Sequence, residues 1–142
     1  MWADTFLVIE QQHAFSLLLW GASTVLCATI VATTLAAQHR KSTLLVHFAT
    51  QLAVWGILAI IVGAIEWHGI HLRTVDSATK VEHVMWLRTG LDVGVVGIGA
   101  TLVAAGRILA RHPGVSGAGI AIVVHGLALF AIDVQFVSAV SR

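Results

Sequence analysis

The sequence predicts an all-α polytopic membrane protein, a single domain folded as an antiparallel up-down bundle of four transmembrane helices. Three observations carry that expectation. Of 142 residues, 58% are hydrophobic and only 11% charged, where a water-soluble domain carries about 25%. The charged residues Arg40, Lys41, Arg73, Asp76, Lys80, Glu82, Arg107, Arg111 and Arg142 fall between or beyond long apolar runs rather than along them. Four of those runs reach the roughly 20 residues that cross a hydrocarbon layer at about 1.5 Å per residue.

The first helix is expected over Ala14–Ala37. Its leading segment, Met1 to His13, has no Lys or Arg, and the run exceeds a signal-peptide core, so it reads as a retained helix. His13, Ser16, Trp20, Ser23, Thr24 and Cys27 form a small or polar stripe on about one face, which is the face expected to turn inward. Cys27, among Leu26, Ala28 and Ile30, reads as a packing residue. Gln38 to Thr43 makes a short turn to the second helix, Leu44–Trp67. The longer connection His68 to His83 has room for a short interfacial helix. The third helix, Val84–Arg107, is glycine-rich, and Gly90 and Gly94 have the small-x-x-x-small spacing that lets backbones approach, which places this helix inside the bundle. Ile108 to Gly117, containing the only proline, Pro113, then Gly114, reads as a turn. The fourth helix is expected over Ala118–Val140. Short connections make sequential helices antiparallel neighbours.

Net charge is +1, without a basic cluster, so nucleic acid and polyanionic surfaces are not expected partners. Membrane lipids and other membrane subunits are. Trp2, Trp20, Trp67 and Trp86 fall toward one leaflet and read as interface anchors. Basic residues flank both faces about equally. The segment before the first span has no Lys or Arg and carries Asp4 and Glu10, which tilts both termini toward the non-cytoplasmic side.

Chain parity groups the polar residues. The start of helix one, the end of helix two, the start of helix three and the end of helix four share a leaflet, which collects His13, Glu66, His68, His71, His83, Arg88, Asp92 and Asp133. Asp92 and Asp133 should lie about 10 to 12 Å below the interface. Arg88 and Asp92 are four apart and so share a helical face. The expected arrangement has Arg88 bridging Asp92 and Asp133, with Glu66 adding to a surplus of negative charge that a protonated carboxyl or a nearby histidine must compensate. Such an intramembrane cluster serves either as a structural clamp or as a proton or solute path.

Eight histidines raise two ligand hypotheses. His68 and His71 share a face if the second helix continues, and with His83 they are candidate metal ligands. A b-type haem or a pigment needs imidazoles at matching depth on different helices, and His13, His47 and His125 are the candidates. Gln51 lies at the depth of His125 and offers it an interhelical hydrogen bond instead.

No nucleotide, zinc-protease or serine-hydrolase signature occurs, so enzyme activity has no positive support. The runs His47-Phe-Ala-Thr-Gln-Leu-Ala-Val-Trp-Gly56, Leu87-Arg-Thr-Gly-Leu-Asp-Val-Gly94 and Gly117 through Gly126-Leu-Ala-Leu-Phe-Ala-Ile-Asp133 resemble uncharacterised four-helix bacterial membrane proteins grouped as a domain of unknown function. Where that pattern has Asn before Gly-Leu-Asp, this chain has Thr89. The resemblance implies a bacterial inner-membrane protein and transfers no activity. The leading expectation is a non-enzymatic accessory or stabilising subunit of a larger membrane complex. The alternatives are a haem- or pigment-binding redox or photosynthetic subunit, and a proton or small-solute pathway through Glu66, Arg88, Asp92 and Asp133.

Overall fold

A computed structural model describes residues 2–39, 41–108 and 111–141. The described residues form four α-helices, α1 (Trp2–Ala37), α2 (Thr43–Gly69), α3 (Val75–Ile108) and α4 (Pro113–Val140). All four are long and apolar enough to cross a membrane.

Three helix boundaries differ from expectation. Helix α1 starts at Trp2, not Ala14, and α3 at Val75, not Val84. Hydropathy marks only the apolar part of a helix, and neither Met1–Trp20 nor Ile70–Thr89 contains a Gly or Pro that would stop it. In place of a separate interfacial helix, the connection is the first part of α3. Its start is fixed by Thr74, whose hydroxyl accepts from the Ser77 backbone N–H at 3.4 Å, with Asp76 in the first turn. Helix α4 begins at Pro113, not Ala118, because a proline at the first helical position gives up an N–H that would be unbonded there anyway. At α2, Ser42 caps by accepting from Leu45 N–H. His39 (φ 51°), just beyond α1, and Arg111 (φ 43°), before α4, occupy the left-handed region at the two tight connections.

Close packing joins α1 to α2, α2 to α4, α1 to α4 and α3 to α4. Helix α4 is therefore central, and α3 packs chiefly along α4. The α1–α2 and α3–α4 seams rest on glycines. A β-carbon at Gly21 would fall 2.6 Å from the Gly56 carbonyl oxygen, and one at Gly99 would fall 2.9 Å from the Gly119 carbonyl oxygen. Gly117 meets α2 so closely that a β-carbon there would lie 2.1 Å from the Leu44 carbonyl oxygen.

The expected interior face of α3 is corrected by the same geometry. Gly90 and Gly94, with Gly97, point away from the other helices, with nothing within 4 Å of an added β-carbon. Spacing shows that two glycines share a face but not which way that face turns, and here Thr89, Asp92, Gly99 and Gly106 face α4 instead. On α1 the inward stripe is His13, Ala14, Leu17, Gly21, Thr24 and Ala28, so Ser23 and Cys27 face outward.

The extended starts of α1 and α3 meet the end of α4. Phe6, Ala78, Met85, Phe136 and Val137 form one buried apolar cluster there, with Phe6 edge-on to Phe136 at 6.1 Å between ring centroids. This cluster roofs the polar site.

Candidate functional site

Each helix contributes one ionisable side chain to a single network, buried at His13 and Asp133 and half-buried at Glu66 and Arg88: His13 from α1, Glu66 from α2, Arg88 from α3 and Asp133 from α4. His13 stands at its centre. Its Nδ1 lies 3.0 Å from Glu66 Oε2 and its Nε2 lies 2.9 Å from Asp133 Oδ1. Arg88 donates through Nη1 to Glu66 Oε1 and brings Nε within 3.4 Å of Asp133 Oδ2. Asp133 is 1% exposed. Phe136 stands edge-on to the His13 ring, with centroids 5.2 Å apart, and shields it.

The contacts fix a proton count. A hydrogen bond at each ring nitrogen to a carboxyl oxygen needs one proton apiece, and a neutral imidazole supplies only one. The Glu66–His13–Asp133 line therefore holds two protons, either as an imidazolium between two carboxylates or as a neutral ring with one protonated carboxyl. With Arg88, the four groups are then charge-balanced. The compensation falls to His13 in the first arrangement and to a protonated carboxyl in the second.

Asp92 was expected to pair with Arg88, and the structure corrects this. Helical side chains lean toward the N-terminus, which carries the long Arg88 away from Asp92 and toward Glu66, while its Nε faces Asp133 Oδ2 as an ion pair without a hydrogen bond. Asp92 stays one turn deeper, 6% exposed, and its Oδ2 has no hydrogen-bond partner. The expected bridge between α3 and α4 alone becomes a tie among all four helices.

A second ion pair lies outward of the first. Arg73, in the α2–α3 connection, donates through Nε and Nη2 to Glu10 of α1, the shortest contact being 2.9 Å. The Arg73 Nη2 also reaches the Gly69 carbonyl at 3.4 Å, at the end of α2. This pair was not foreseen, because both residues lie outside the apolar runs. Parity, which places Glu10 on the side of the His68–His83 connection, was the available signal. Between the two pairs lies a cavity of about 400 Å³, open between α3 and the α1–α2 pair.

The remaining histidines are scattered. His125 is enclosed on α4, 1% exposed, and its Nδ1 accepts from the Trp20 indole N–H at 3.2 Å. Trp55 stacks obliquely on it at 5.4 Å between centroids. The partner is thus Trp20 rather than Gln51, and Trp20 turns inward instead of anchoring at an interface, whereas Trp2, Trp67 and Trp86 are exposed. His47 is exposed and sits beside His112, 6.4 Å between ring centroids, next to Gly114. Gly114 precedes His125 by about three turns, on the order of 16 Å along α4, so His47 and His125 do not converge on one position. His13 has both ring nitrogens engaged.

The metal hypothesis at His68, His71 and His83 is corrected likewise. Helix α2 stops at Gly69, so His71 leaves the face of His68, and its Nδ1 lies 2.7 Å from the Gly69 carbonyl. Among the described residues no group of three or more His, Cys, Asp or Glu is arranged to hold a metal ion.

Fold and site together define a protein whose described residues form four membrane-length apolar helices, tied at one end by a partly buried ion network drawn from every helix. The chain belongs to the family of unknown function DUF6992, which matches residues 16–134. That match includes Glu66, Arg88, Asp92 and Asp133 and stops short of His13 and Glu10. No curated protein and no solved structure matches the chain.

Proposed function

We propose that this chain is a non-enzymatic integral membrane protein of the bacterial inner membrane, with both termini on the non-cytoplasmic side, serving as an accessory or stabilising subunit of a larger membrane complex. One observation carries the reading. The ionisable groups His13 and Asp133, buried, and Glu66 and Arg88, half-buried, are engaged with one another, one per helix, which suits a clamp that fixes helix packing better than a site that turns over substrate. The apolar length of the helices supports the membrane setting. The bare glycine face of α3, flanked by the exposed Leu87, Leu91, Val93 and Ile98, supports a partner, namely a transmembrane helix of another subunit packed backbone to backbone.

The test is purification from native membranes in mild detergent, comparing wild type with Gly90→Leu and Gly94→Leu. The expected result is a second membrane protein at fixed stoichiometry, lost in both variants while the thermal unfolding of this chain is unchanged. Elution of the wild-type chain with lipid and detergent alone would overturn the reading.

A second reading, a proton or small-solute pathway through Glu66, Arg88, Asp92 and Asp133, is favoured by the buried, unpartnered Asp92 oxygen. Its test is flux into liposomes, with loss on Asp92→Asn supporting a pathway and the absence of wild-type flux opposing it.

A further inference from the structure

The cavity between α3 and the α1–α2 pair shares His13, Glu66 and Arg88 with the clamp and adds an apolar wall of its own. Its volume of about 400 Å³ falls in the range of roughly 300 to 1,000 Å³ typical of small-molecule sites, which are mostly apolar with a few placed polar groups. Val81, Val84 and Met85 of α3 and Ile70 line its length, while Arg88 closes the deep end. It opens along α3 because that helix packs chiefly on α4.

The charges on its wall are already matched. Arg73 is held by Glu10 at 2.9 Å, Lys80 by Asp76 at 2.7 Å, and Arg88 by Glu66 and Asp133. A charged head near Arg88 or Arg73 would have to compete with Glu66 or Glu10 for its counter-ion, whereas Lys80 and Asp76, both largely exposed, form only a weak surface pair. Arg88 donates through Nη1 to Glu66 and faces Asp133 through Nε as an ion pair without a hydrogen bond, and its Nη2 makes no hydrogen bond among the described residues. A guanidinium can only donate, so the deep end offers an unused donor to a neutral acceptor.

We infer that this cleft binds a neutral amphiphile whose head carries a carbonyl acceptor, with the head against Arg88 Nη2 and the apolar tail running out along Val81 and Val84. Ring dicarbonyls of the quinone type and ester-headed acylglycerols share that chemistry. The inference takes from the proposed function only that the bundle lies in a membrane, from which such a molecule would enter. It does not require a partner subunit.

The test is calorimetric titration of the purified full chain in lipid nanodiscs with four probes of equal tail length: a decyl quinone, a ten-carbon monoacylglycerol, decanoate and decyltrimethylammonium. Saturable one-to-one binding of the quinone, the monoacylglycerol or both is expected, at least tenfold tighter than either ionic probe. Quinone binding alone would identify the ring head, and acylglycerol binding alone the ester. Val84→Trp, which fills the cleft from an exposed position outside the clamp, should weaken binding at least tenfold without changing the melting temperature. Ser77→Trp serves if that variant does not fold. Equal affinity for the ionic probes, no binding of either carbonyl probe, or undiminished binding in the filled variant would overturn the inference. Because no partner is present, such a failure leaves the subunit reading to its own co-purification test.

Discussion

Asp133 is the clamp residue with least access to water, and replacing it gives the most informative perturbation. It faces His13 Nε2 at 2.9 Å and Arg88 Nε at 3.4 Å while 1% exposed. Asp133→Asn keeps an acceptor for His13 but removes the charge. A hydrogen bond to a charged group is worth about 1.5 to 3 kcal/mol net and a neutral one about 0.5 to 1.5, so the substitution should cost about 1 to 2 kcal/mol. Asp133→Ala also removes the acceptor and leaves His13 and Arg88 sharing Glu66. Breaking a buried pair costs about 3 to 5 kcal/mol, and because Glu66 still serves both cations, the lower end, about 3 kcal/mol, is expected. Equilibrium unfolding by sodium dodecyl sulfate in mixed micelles, followed by tryptophan fluorescence, measures each value. A double-mutant cycle with His13→Ala isolates the pair. The expected coupling is about 1.5 kcal/mol, slightly more than tenfold in the equilibrium constant. Ordinary interhelical hydrogen bonds in membranes average about 0.6 kcal/mol. A coupling at or below that value would refute the reasoning, because His13 and Asp133 would then be one polar contact among many.

The glycine faces separate in a second experiment. Gly117→Ala puts a β-carbon 2.1 Å from the Leu44 carbonyl oxygen, so the α2–α4 seam must open and the melting temperature should fall. Gly94→Ala meets open space and should be neutral or gain up to about 1 kcal/mol from helix propensity. Trp20→Phe leaves the buried His125 Nδ1 without its donor and should cost about 1 to 3 kcal/mol in the same unfolding assay. Arg73→Ala releases Glu10 and the end of α2, so backbone amides of residues 70–77 should exchange faster with deuterium while those around Asp133 stay protected.

Helix number and the end at which the charges gather were legible in the sequence, because both follow from apolar run length and chain parity. The boundaries of α1 and α3 were not. Residues such as Glu10 and Lys80 lower hydropathy without lowering helix propensity, so the helices run on past the apolar stretches. The members of the clamp were legible one by one, but their pairing was not. Arg88 and Asp92 are neighbours in helical spacing, yet Arg88 is drawn to Glu66 and Asp133 by side-chain direction and by α2 and α4 standing beside it. His13 attracted attention as a ligand candidate, and only the packing of α1 on both α2 and α4 shows that both its nitrogens face carboxylates. The outward turn of Gly90 and Gly94 was illegible for a related reason. Periodicity fixes which residues share a face, and the neighbour that face meets is decided by the whole bundle.

The central claim is that His13 sits between two carboxylates from different helices. Solid-state NMR of the protein in lipid bilayers, with ¹⁵N-labelled histidine and ¹³C-labelled aspartate and glutamate, tests it directly through ¹⁵N–¹³C dipolar couplings. The expected result is a short-range coupling from His13 Nε2 to the Asp133 carboxyl carbon and another from Nδ1 to that of Glu66, consistent with contacts of 2.9 and 3.0 Å. The first coupling should vanish in Asp133→Ala. A His13 ring coupled to neither carboxyl carbon would contradict the clamp.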